Sequence, residues 1–137
     1  MASIFKKATV AEWYIRLVLI VSGLIIAAPG IIGMLSVDGL SALYAIDVHS
    51  PTTAVLLQHR GVLLAIVGSL LIAASAVRSL RLTAITVGLL SNVTFIALTL
   101  LEPGAHASLA RIAWVDVALT VLLVGAYVAH TKHRKAS

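Results

Sequence analysis

The sequence contains no cysteine, which excludes disulfides, zinc–thiolate centres and a cysteine nucleophile. Charge is nearly as scarce: Asp, Glu, Lys and Arg make up 11% of the 137 residues, against roughly 25% in an ordinary soluble domain. One core built from so short a chain cannot hide a 61% hydrophobic composition from water. The bilayer has to take up the excess. Recognisable catalytic patterns are also missing. There is no glycine-rich phosphate loop after a strand, no nucleophile elbow and no spaced carboxylate pair for acid–base work. His130 and His133 stand three apart without an accompanying carboxylate, so neither a metal nor another cofactor is expected. The net charge of +5 raises nucleic acid as a partner, but the basic residues do not gather where a groove-reading surface could use them. No nucleic acid is expected.

What the chain does have is apolar length. A membrane-crossing helix needs about 20 mostly apolar residues, at a rise of roughly 1.5 Å each across a hydrocarbon core of roughly 30 Å. Residues 13–35, 53–77, 82–101 and 109–129 satisfy this, and none shows the alternation of barrel strands. Lys6 and Lys7 before a run ending near Ala27 and Ala28 imitate a signal peptide. The run exceeds a typical signal core, so a retained span is expected.

Basic residues orient the spans. Lys6, Lys7 and Arg16, then Arg78 and Arg81, then Lys132, Arg134 and Lys135 all fall on one side if four helices alternate; of ten Lys and Arg, only Arg60 and Arg111 lie elsewhere. The expected fold is all-α: an integral-membrane up-down four-helix bundle in a single domain, with both termini cytoplasmic. Trp13, Tyr14 and Tyr127 suit an inner aromatic belt, and Trp114 and Tyr44 an outer one. The 132–135 tail reads as an anchor to anionic lipid. In the first outer loop, residues 36–46 place Leu40, Leu43 and Tyr44 on one helical face after capping residues. This predicts a short interfacial helix that lies on the membrane surface or caps the bundle mouth.

Helices in lipid associate through small residues and polar contacts. Gly61, Ala65, Ser69 and Ala73 form a four-residue repeat in the second span; Ala84, Gly88 and Asn92 line up in the third, and Gly23 and Ala27 in the first. Pro29, with Gly30 and Gly33 beside it, predicts a kink that leaves room in the outer half.

Ionisable side chains at membrane depth are costly, so each is a candidate for function. Arg60 and Asp116 lie about 25 and 22 Å from the cytoplasmic ends of the second and fourth spans, which makes an ion pair between them geometrically feasible. A structural lock, a ligand or proton site, and an Arg60 that snorkels outward all remain open. Gln58 and His59 beside Arg60, Asn92 near the midplane, and Thr120 on the face of Asp116 complete the candidate site.

Read together, Leu35-Ser36, Leu43-Tyr44-Ala45-Ile46, Leu57-Gln58-His59-Arg60-Gly61 with Gly68, then Arg81, Gly88, Ser91, Phe95, Arg111 and Asp116 resemble a family of small bacterial four-helix membrane proteins. Members are often labelled phosphopantetheine adenylyltransferase. The chain has neither the His-x-Gly-His-type motif nor the strand pattern of that soluble enzyme, so the label is rejected here. Arg16-Leu17 through Gly23 and Gly30 is also similar to DoxX-like membrane proteins, some of which accompany quinone-linked oxidoreductases. The resemblance implies the fold and points to the same residues.

Three functions fit. The first is a non-enzymatic accessory or binding protein of the bacterial inner membrane, in contact with lipid and holding an anionic small molecule or lipid headgroup in a polar pocket in its outer half. The second is a proton- or ion-coupled transporter using His59, Asp116, Thr120 and Asn92 as a relay; four helices leave little room for a pore, so it requires a homo-oligomer. The third is a subunit of a larger quinone- or lipid-linked membrane enzyme complex.

Overall fold

The computed structural model describes residues 10–135, with side chains except those of 103, 105–108 and 133–135. Lys6 and Lys7 and the side chains of His106, His133, Arg134 and Lys135 therefore lie outside the described residues. The described residues form helices α1 (Val10–Leu35), α2 (Val37–Tyr44), α3 (Pro51–Ala76), α4 (Arg81–Leu101) and α5 (Pro103–Lys135), with no strand among them. A single 3-10 turn, Arg78–Leu80, joins α3 to α4. All but α2 contain a stretch long and apolar enough to cross a membrane, and in lipid a helix satisfies its own backbone.

Local chemistry sets the boundaries. Ser36 ends α1 with extended backbone, and its Oγ accepts the Gly39 N–H at 3.1 Å, which starts α2. Ala45 ends α2 in the left-handed region at φ 52°, where the Ile46 N–H closes onto the Ser41 carbonyl at 3.2 Å. Pro51 opens α3 at a position where its missing N–H costs nothing. Pro103 likewise opens α5, which begins before the expected 109. At the other end α5 continues to Lys135, so the basic tail is helical. Helix α1 runs past Pro29 to Leu35.

Two close helix pairs make up the bundle: α1 packs along α3, and α4 along α5. Glycines allow the first pair to touch backbone to backbone. A Cβ on Gly30 would meet the Gly61 carbonyl oxygen, and one on Gly68 would meet the Gly23 carbonyl oxygen and the Ala27 nitrogen. These contacts also fix the pair as antiparallel. The expected Gly61-Ala65-Ser69-Ala73 stripe is corrected in part: Ser69 and Ala73 are exposed, and Gly68 takes their place. A four-residue step turns about 40° further round the helix than a full circle, whereas seven residues fall about 20° short of two.

The two pairs meet in an apolar core of Ile15, Val18, Leu19, Leu71, Ala74, Ala84, Ile85, Leu123 and Ala126. These residues come from the beginnings of α1 and α4 and the ends of α3 and α5, so the core fills the end of the bundle that holds Glu12. Ala84, Gly88 and Asn92 are all buried, as their alignment predicts. At the opposite end α2 buries Leu40 and Tyr44 and closes the mouth. Between that cap and the core the pairs separate. Around the outside, Leu17, Leu24, Leu56, Ile66, Val93 and Val121 are exposed, the lipid-facing pattern of a spanning bundle.

Candidate functional site

Charge is concentrated at two levels. At the Glu12 end, Glu12 and Arg81 are only 3% and 1% exposed. Arg81 donates from Nη1 to Glu12 Oε2 at 2.9 Å and from Nη2 to Oε1 at 2.7 Å, the planar fork meeting a carboxylate edge to edge. Its Nε and Nη2 also donate to the carbonyls of Ala74 and Ser75, each at 3.2 Å, and so satisfy the last turn of α3. Arg16 adds an Nε bond to Glu12 at 2.9 Å, and Arg78 approaches at 3.3 Å from a more exposed position. One carboxylate thereby ties the start of α1, the end of α3 and the start of α4 together. Reading Arg16, Arg78 and Arg81 as orientation charges missed this cluster. The available signal was Glu12 itself, the one acidic residue on the side that carries eight basic ones.

At the Tyr44 end, a cavity of about 940 Å³ opens between the helix pairs, with lining residues from all five helices. The wall is mostly apolar; its charged groups are Arg60, Arg111 and Asp116, and Tyr44, Ser91, Asn92, Thr94 and Thr99 add neutral polar ones. The Arg60 guanidinium carbon lies 4.6 Å from the Phe95 ring centroid and 5.3 Å from that of Tyr44. Ring faces attract such a cation without engaging its N–H groups in conventional hydrogen bonds. Burial raises the Tyr44 phenol above its ordinary pKa, so the ring beside Arg60 stays neutral. Arg111 sits at the rim, donating at 3.4 Å to the Leu43 carbonyl on α2. Asn92 is buried, and its Nδ2 has no acceptor among the described residues.

The structure brings together three of the six predicted residues, Arg60, Asp116 and Asn92. Of the readings left open for Arg60 and Asp116, the direct ion pair is not made among the described residues: no salt bridge within 4.0 Å joins them, and they line the cavity from α3 and α5. Both side chains line the same cavity. The other three lie outside. Gln58 donates Nε2 to the Gly33 carbonyl at 3.2 Å and pins α3 to α1. His59 is exposed, and Thr120 donates at 2.7 Å to the Asp116 backbone carbonyl on its own helix. His59, Asp116, Thr120 and Asn92 thus form no connected relay in this arrangement. Tyr44 and Phe95, which hold Arg60, were not weighed as site residues. Phe95 was conspicuous as the one aromatic residue of α4. No family model, curated protein or solved structure matches the chain, and what the site does has to be read from its own residues.

Proposed function

We propose that the chain is a non-enzymatic binding protein of the bacterial inner membrane that holds an anionic amphiphile in the cavity, with the anion on Arg60. The up-and-down arrangement of spans has both termini in the cytoplasm, supported by Arg16, Arg78 and Lys132 at the Glu12 end. With that orientation the cavity occupies the outer half.

The observation that carries this reading is the state of Arg60. It offers five N–H donors, faces a large cavity, and hydrogen-bonds to no described residue while two aromatic rings fix its plane. A guanidinium prepared in this way accepts a carboxylate or phosphate at small ordering cost. Asp116 is its positioning residue across the cavity. Arg111 at the rim adds a second positive charge, so the polar groups favour an anionic head while the apolar wall favours a tail.

The test uses purified protein in nanodiscs with fluorescent phosphatidylglycerol and phosphatidylcholine as probes. The wild type is expected to retain the anionic lipid preferentially. Arg60→Gln should weaken its retention about tenfold or more, the effect of one charge-assisted hydrogen bond. Equal retention of phosphatidylglycerol by wild type and Arg60→Gln would overturn the proposal.

A further inference from the structure

The cavity specifies its ligand beyond a charged head. Arg60 contacts the ring of Phe95, and Asn92 lies three residues earlier on the same face of α4. Three residues of helix rise about 4.5 Å, so Asn92 lies about one helical turn from Phe95, the residue that holds the cation, on the side towards the core. It is 3% exposed and lines the cavity, and its Nδ2 lacks an acceptor among the described residues. A buried donor of this kind is costly unless something accepts from it. Ile26, Leu64, Val67 and Leu119 in the same lining offer only side-chain carbon, and neither Ser91 nor Thr94, which also line it, accepts from Asn92 Nδ2.

A second feature shows where the ligand comes from. Leu63 on α3 and Leu90 and Leu98 on α4 line the cavity yet remain 49%, 68% and 60% exposed. These two helices touch far less than α1 and α3 do, and their lining leucines are more exposed than Ile25 of α1 and Val115 of α5, which points to a sideways opening along the α3–α4 seam. In a bilayer that seam faces acyl chains.

Resting on the reading of Arg60 as an anion site, we propose that the cavity takes an ester-linked anionic glycerophospholipid entering between α3 and α4. Its phosphate lies on Arg60, its acyl ester carbonyl accepts from Asn92 Nδ2, and its chain leaves through the seam past Leu63, Leu90 and Leu98. The glycerol unit separates phosphate from ester carbonyl by a distance on the scale of the helical turn between Phe95, which holds Arg60, and Asn92. A free fatty acid does not satisfy both groups, because its only acceptors are the carboxylate oxygens.

The experiment compares diester phosphatidylglycerol with its diether analogue, which has the same head and chains but no carbonyl. Each competes against the fluorescent diester probe on the protein in nanodiscs. Wild type should prefer diester over diether about five- to tenfold, the scale of one matched buried hydrogen bond. Asn92→Leu, of similar size, should bind both equally, and Arg60→Gln should lose both. Equal wild-type affinity for diester and diether, with both lost in Arg60→Gln, would overturn the ester assignment and leave the anion site standing. Undiminished binding of both by Arg60→Gln would instead remove the anion site on which the assignment rests. Should Asn92→Leu fail to fold, the wild-type diester-to-diether ratio decides by itself.

Discussion

Glu12→Gln is expected to destabilise the folded protein by about 3–5 kcal/mol, the usual consequence of leaving one member of a buried ion pair without its counter-charge. Gln keeps the size of the side chain, so the loss comes from charge and from the two Arg81 bonds, at 2.9 and 2.7 Å, that end on the carboxylate. Arg81 cannot escape to solvent: it is 1% exposed and held by the Ala74 and Ser75 carbonyls. Denaturation in detergent micelles, followed by circular dichroism, measures the loss. Two controls separate this pair from charge in general. Arg78→Gln should cost at most about 1 kcal/mol, because its side chain is 64% exposed and water screens it. Glu12→Leu combined with Arg81→Met should cost less than the sum of the single changes, since an apolar pair of similar volume leaves no orphaned charge. Wild-type stability in Glu12→Gln would show that the carboxylate adds no net stability to the buried Arg81, and would overturn the assignment.

That pair also shows where a sequence stops being informative. Helix existence and most span limits were legible, because apolar length and proline, serine and glycine punctuation are local properties. The same is true of Leu40 and Tyr44, whose four-residue spacing puts them on the face that α2 buries. Glu12 and Arg81 are separated by 69 positions, and charge counting assigns every basic residue at one end to the lipid headgroups. Nothing local distinguishes the arginine that turns inward. Arg60 and Asp116 fail in a complementary way. Rise per residue gives each a height, and the heights agree, but azimuth and helix neighbours decide contact. With α3 and α5 on opposite sides of the cavity, matching height puts both residues in one lining without an ion pair. Asn92 was legible as a buried residue on the Ala84 and Gly88 row. Its missing acceptor was not, because that depends on the gap between helix pairs.

Gly68→Ala is expected to destabilise the protein by about 1–3 kcal/mol, whereas Gly88→Ala should be close to neutral, although both glycines are buried in spanning helices. The difference lies in what the added methyl group meets. At Gly68 it meets the Gly23 carbonyl oxygen, with the Ala27 nitrogen and Ala27 Cβ both at 2.8 Å, all parts of α1 that cannot rotate away. The helices must separate, and the close backbone packing on which membrane helix pairs depend is lost along the interface. At Gly88 the nearest atoms are Leu123 Cδ1 at 3.2 Å and Leu71 Cδ1 at 3.4 Å, ends of flexible side chains that can shift by a few tenths of an ångström. There the better helix propensity of alanine offsets the crowding. Both variants can be measured in the same micelle denaturation assay. Because Gly30 and its neighbour Pro29 belong to the same α1–α3 contact, and Pro29 lines the cavity, Gly68→Ala should also weaken phosphatidylglycerol retention while Gly88→Ala leaves it intact. The reverse order of stabilities would mean that the α1–α3 contact is looser than its backbone-to-backbone geometry requires.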